Sequence, residues 1–298
     1  MATSVIDPAI LNRAATRRLG RPLFNRLRRN PVSVGAICVL SVLVVIAVLA
    51  PWVAPFGPDE TDAAAALMGP SWPHLLGTDV YGRDELSRII FGTRVDLAVP
   101  FAATAGALVI GSLIGLLAGY RGGWVDMTVM RVTDAVLAFP ALVLAMGMTA
   151  ALGNGMGDLT LVIAITQIPT YLRLIRGEVL RAREMEYAEA ALTVGNPTRR
   201  ILLVHLLPNC VPPLIVQATL AMGFALLTMA TLSFLGLGIK PPASEWGEMT
   251  AEGASQMVTG EWWLFVFPGL AILLAVLAFN LIGDALRDLL DPRMRGVR

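Results

Sequence analysis

Residues 186–209, EYAEAALTVGNPTRRILLVHLLPN, lie between two strongly apolar segments and decide how the chain is read. A plain link between membrane spans needs no structure of its own, yet this one is written as two short helices around a corner. Ala188, Ala190, Ala191 and Leu192 favour a helix. Gly195 is free to take the left-handed conformation that ends a helix. Asn196 is placed to cap a second helix, with Pro197 at that helix's first position. Pro208 marks a further break.

Ala188, Ala191 and Gly195 fall three and four residues apart, so they share one helical face that lets another surface come close. Glu186 and Glu189 flank that face, Arg181 and Arg183 precede it, and Arg199 and Arg200 follow. Two readings fit: an amphipathic helix lying on lipid headgroups, or a docking element for a soluble partner.

The surrounding chain belongs to a bilayer. Hydrophobic residues make up 56% of the 298, charged residues 15%, and mean hydropathy is +0.69. A soluble domain carries about 25% charge. The expected class is an all-α integral membrane protein. A net charge of +1 gives no electrostatic call for nucleic acid. Cys38 and Cys210 are far apart, as are His74 and His205, so neither a disulfide framework nor a metal site is expected, and no cofactor is expected on this chain.

Six transmembrane helices are expected. Residues 1–32 read as a basic cytoplasmic segment with seven arginines, too long and lacking the small-residue site for a cleaved signal peptide. Residues 33–56 form the first helix, with Trp52 at an interface. Residues 57–97 form an extracytoplasmic loop ending in a short interfacial helix, where Leu86, Ile89, Ile90 and Phe91 recur at helical spacing. The core, 98–283, holds five helices at about 98–120, 133–152, 159–174, 212–236 and 263–283, with the organising loop at 184–209. Gly111, Gly115 and Gly119 read as a packing stripe, and Pro140 as a kink. Residues 284–298 form a charged cytoplasmic tail.

Lys and Arg counts set the orientation. The side holding the N-terminus carries 19 of the 23, and the other side 4. Both termini and the 186–209 loop are therefore expected in the cytoplasm. The sole lysine, Lys240, lies between Ile239 and Pro241 on the opposite side, without the glycine and Ser/Thr context of a phosphate-binding loop. No HExxH or GxSxG string is present. The chain reads as a transport subunit powered from outside, not an enzyme. A passive channel or secondary transporter subunit is the alternative of another class; it fits poorly with the structured loop and the absence of a charge at any span centre.

The run Glu189-Ala190-Ala191, then Gly195, then Leu207-Pro208, resembles the EAA motif of ABC importer permeases. The strings at 77–84 (GTDVYGRD), 233–238 (SFLGLG), 245–247 (EWG) and 268–291 are similar to those of bacterial dipeptide/oligopeptide importers, in their second, C-type permease chain. That resemblance implies a type I importer permease fold in the inner membrane. It implies a homologous permease partner, cytoplasmic ATP-binding subunits that hold the ATP and Mg, and an extracytoplasmic substrate-binding protein. By the same resemblance the coupling helix docks the ATPase through Glu186, Tyr187, Glu189, Ala190, Ala191, Gly195 and Asn196. Gln167, Tyr171, Gln217 and Thr228 are the expected path-lining residues, with helix–helix hydrogen bonding the competing role. Dipeptides are the first choice of solute; nickel chelate, glutathione or haem carried by the same machinery is the alternative.

Overall fold

The computed structural model describes residues 31–290. Residues 1–30 of the basic N-terminal segment and 291–298 of the tail lie outside the described residues. Among the described residues there is no strand, only one bridge pairing Thr78 with Asp84. The helices are α1 (Pro31–Val53), α2 (Glu85–Arg121), α3 (Gly123–Leu137), α4 (Ala141–Leu152), α5 (Met156–Ala182), α6 (Glu186–Thr193), α7 (Thr198–Phe234), α8 (Trp246–Gln256) and α9 (Trp263–Leu290).

Five of these, α1, α2, α5, α7 and α9, are long and apolar enough to cross a membrane. The pair α3 and α4 passes only when taken together, and it is bent by 87°. The sequence suggested one kinked span at 133–152. Pro140 instead breaks the helix, because it disfavours helical geometry at Phe139, and it opens α4 from the N-cap position. The first half then runs back to Gly123.

Helix α2 merges the short helix expected at 85–96 with the span expected at 98–120. Its 37 residues reach about 55 Å, against a hydrocarbon core of about 30 Å. Asp84 caps its start, accepting from Ser87 N at 2.8 Å and Ser87 Oγ at 2.7 Å. The glycine stripe faces α5 in the most extensive helix–helix interface of the fold. A Cβ on Gly115 would lie 2.4 Å from the Leu172 carbonyl oxygen, and one on Gly111 2.8 Å from that of Ile168. Only glycine permits this approach. Around that seam the buried core joins α2, α5, α6 and α7 through Val99, Leu116, Tyr171, Ile175, Ile201, Leu206 and Met229.

Helix α1 stands at the edge of the bundle. Pro51 within it lacks the N–H that would bond Ala47 O four residues back. Arg94 of α2 occupies that carbonyl instead, donating from Nε at 2.6 Å, with Nη2 to Val48 O at 3.2 Å.

The end of the bundle opposite α6 is closed by ion pairs. Asp79 accepts from Arg83 Nε at 2.5 Å and Arg88 Nη1 at 2.7 Å, and Arg88 Nη1 also reaches Glu252 at 3.0 Å. His74 Nδ1 and Asp84 Oδ1 stand 2.9 Å apart. Thus the 77–84 string folds a loop onto α2 and α8. Glu245 caps α8, and the buried Trp246 donates its indole N–H to Ile89 O at 3.0 Å.

Candidate functional site

The corner at 186–209 is rigid for local reasons. Gly195 has φ +78°, as its sequence position suggested. Gly195 N donates to Leu192 O at 2.9 Å and Asn196 N to Ala191 O at 3.2 Å, the paired bonds that close a helix through a left-handed residue. Asn196 does not cap the next helix. Its side-chain Nδ2 turns back to Ala191 O at 3.1 Å, and Pro197 takes the N-cap position of α7. The first carbonyl to lose its partner lies at the end of α6, and a side-chain amide five residues on is within reach of it.

Helix α7 opens with a π-helical stretch, Ile201–Leu206, just before Pro208. Pro208 has no N–H to offer and its ring crowds the preceding turn, so that turn widens. Asn209 Nδ2 supports it, donating to His205 O at 2.7 Å. Three more contacts fix the neighbourhood. Arg183 donates to Gly119 O at 3.1 Å, Arg176 holds Asp126 through two bonds of 2.5 and 2.6 Å, and Arg173 meets Asp134 at 2.5 Å.

The two faces of α6 do different work. Ala188 and Ala191 are buried in the core with Ile201, Leu202 and Leu206. The small-residue face therefore seats the helix on its own chain, and Ala191 presents no side chain outward. Glu186, Tyr187, Glu189 and Ala190 are exposed, followed by Leu192, Thr193, Val194 and Gly195, with Val194 81% exposed. Asn196 is half-buried. Sequence periodicity located the face; it did not say which partner filled it. Leu192 and Val194 are the residues it missed, and the signal was there: two apolar side chains beside the corner, off the alanine face.

The second location is a cleft of about 540 Å³ between α5, α7 and α9, bordered by the α3–α4 bend. Gln167, Tyr171 and Gln217 line it together with Thr166, Thr170, Phe224 and Asn280. Gln167 is buried and tied on both sides, accepting from Thr104 Oγ1 at 3.3 Å and donating to Ala221 O at 3.4 Å. Thr228 is not among the lining residues; its hydroxyl donates to Phe224 O of its own helix at 2.8 Å. Asn280, within the span expected at 263–283, is a lining residue that the sequence did not single out.

Comparison with known proteins fits this geometry. Residues 111–296 match the family described as binding-protein-dependent transport system inner membrane component, and residues 19–70 match the N-terminal TM domain of oligopeptide transport permease C. The chain is 42% identical over 275 residues to the dipeptide transport system permease protein DppC of Alkalihalophilus pseudofirmus, covering 92% of this chain and 90% of that one. It is 42% identical over 296 residues to the probable D,D-dipeptide transport system permease protein DdpC of Escherichia coli, covering 99% of each. It is 40% identical over 287 residues to the glutathione transport system permease protein GsiD of Pectobacterium atrosepticum, covering 96% of this chain and 95% of that one.

Proposed function

The chain belongs to the family of binding-protein-dependent transport system inner membrane components, and from that premise we propose that it is one permease subunit of an ATP-driven importer of dipeptides or short oligopeptides. A homologous permease completes the path, and a substrate-binding protein delivers the solute on the side of the ion-paired cap. ATP-binding subunits on the opposite, cytoplasmic side supply the hydrolysis. The bent pair α3 and α4 counts as the sixth span, and both termini are cytoplasmic, following the distribution of Lys and Arg.

The observation that carries this reading is the outward face of α6. An eight-residue helix, closed by a left-handed glycine and seated by two buried alanines, leaves Glu189, Ala190, Leu192 and Thr193 exposed, with Val194 exposed just beyond its end. Loops that only connect have no need of such support. A rigid projection of this kind converts closure of the ATP-binding subunits into movement of α5 and α7, to which it is joined at both ends. The path then opens alternately to each side.

Two relatives are named for dipeptides and one for glutathione, itself a small peptide, so a short-peptide solute accommodates all three names. Reconstitution of the chain with its partner permease, ATP-binding subunits and binding protein tests the reading. ATP-dependent uptake of radiolabelled Ala-Ala supports it; uptake driven by a proton gradient without ATP overturns it.

A further inference from the structure

Four polar side chains of the cleft, Thr170, Tyr171, Gln217 and Asn280, have no hydrogen-bond partner among the described residues, and the last three stand on three different helices. The Tyr171 hydroxyl is fully buried, with Tyr171 0% exposed, and makes no hydrogen bond. The side-chain amides of Gln217 and Asn280 make none either. The three come from α5, α7 and α9 and line the same 540 Å³ space. Asn280 is exposed and Gln217 half-buried, and unpaired polar groups are costly against hydrocarbon, so this face suits a protein-lined or water-filled space better than lipid. Among the described residues no Asp, Glu, Lys, Arg or His lines the cleft, and the remaining wall is mainly apolar, with Leu137, Leu220, Phe224 and Val276.

We infer that Tyr171, Gln217 and Asn280 form a hydrogen-bonding station that pairs with the uncharged amide groups of the passing solute and does not sense its charge. The inference rests on the importer reading and adds the chemistry of the path. A phenol and two carboxamides each donate and accept. A peptide unit presents one N–H and one C=O, so it satisfies the station in either direction. Neutral hydrogen bonds are weak enough to release the solute, which a path requires as much as entry. An ionic site would hold one class of side chain and stall the others. The neighbouring Gln167 takes no part, because its own amide is already engaged.

The test uses the full complex in proteoliposomes, with the binding protein saturated by Ala-Lys or Ala-Glu, and reads uptake and ATP hydrolysed. Tyr171→Phe removes one oxygen and keeps the ring. It should lower peptide delivered per ATP about 3- to 10-fold, the worth of one hydrogen bond. Gln217→Glu places a carboxylate in the cleft. It should raise the Ala-Lys to Ala-Glu uptake ratio about tenfold over the unmodified complex; the binding protein is the same in both, so its preference cancels. Unchanged delivery per ATP in Tyr171→Phe overturns the station. So does an unchanged ratio in a Gln217→Glu complex that still transports. Should Gln217→Glu fail to assemble, Tyr171→Phe alone decides. Absence of ATP-dependent uptake by the unmodified complex is a different result, and it overturns the importer reading itself.

Discussion

Gly115 of α2 and Leu172 of α5 touch through the backbone: a Cβ on the glycine would lie 2.4 Å from the leucine carbonyl oxygen. Lipid gives helices no hydrophobic reason to associate, so close van der Waals contact between such surfaces holds them. Gly115→Leu should cost at least about 1–3 kcal/mol by overpacking and lower the melting temperature of the purified complex. Gly106, with nothing within 4 Å of its added Cβ, is the control, and Gly106→Ala should be neutral. Equal melting temperatures for the two variants would contradict the account of this seam.

The corner should separate assembly from coupling. Glu189→Arg leaves the seat of α6 untouched, since Glu189 is exposed, so the permease pair should still co-purify while ATP-driven uptake falls about tenfold or more. Gly195→Val places a β-branched residue at φ +78°, at a cost of about 1–3 kcal/mol, and should also uncouple. Normal uptake by the Glu189→Arg complex would remove Glu189 from the docking face.

Arg88 is the buried hub of the opposite end, with 0% exposure and contacts to Asp79, Glu252 and Glu248. Arg88→Met leaves Asp79 and Glu252 to share Arg83, and Glu248 without a paired cation, and should cost about 3–5 kcal/mol, read as lost yield of the assembled complex. Recovery of most of that yield by the double variant Arg88→Met, Asp79→Asn would show that the unpaired charge is responsible.

Stability should fall as pH rises across this cap. Burial pushes the Glu248 carboxyl up to about 8; Glu252 adds to this and Arg88 opposes it. Lys240 lines the same hollow, and Glu245 of the α8 cap is also raised by burial. A group raised in the folded state contributes fully below its unfolded value, about 4.3, and loses that contribution as pH climbs through about 8. The melting temperature should therefore drop between pH 5 and 8. Glu248→Gln should flatten the drop, with Glu245 keeping part of it. A slope unchanged by Glu248→Gln would assign the effect elsewhere.

Arg94 replaces a hydrogen bond that Pro51 removes. Arg94→Leu should loosen α1, seen as faster proteolysis of the residue 57–84 loop. Pro51→Ala restores an N–H for Ala47 O and should rescue Arg94→Leu in the double variant. Absence of rescue would mean that Arg94 acts through its contact with the Phe91 ring instead.

Local rules carried the sequence reading furthest where one residue decides the geometry. Gly195 turned left-handed because its φ of +78° favours glycine, and Gly111 and Gly115 met α5 where any Cβ would clash, with Gly119 in a tight but less extreme contact. Pro140 was visible as a disturbance, but an 87° bend depends on what packs around it, which hydropathy does not register. Helix α2 was divided at 97 because Arg88, Arg94 and Asp96 look foreign to a span. Of the partners that make them tolerable, Asp79 lies in the adjoining loop, while Glu252, Ala47 and the Trp246 N–H come from distant segments, and none can be found by periodicity. The cleft was half legible: Gln167, Tyr171 and Gln217 converge there, while Thr228 spends its hydroxyl on its own helix and Asn280 carried no signal beyond being one polar residue in an apolar run.

The most direct test of the central claim is a crosslink from Val194, the most exposed large apolar residue of the corner. In membranes carrying the active complex, a Val194→Cys variant with a short bifunctional reagent should join this chain to an ATP-binding subunit, with a yield that changes when ATP is added. A complex that transports peptide in response to ATP, yet never links residue 194 to an ATP-binding subunit in either state, would contradict the assignment of α6 as the coupling element.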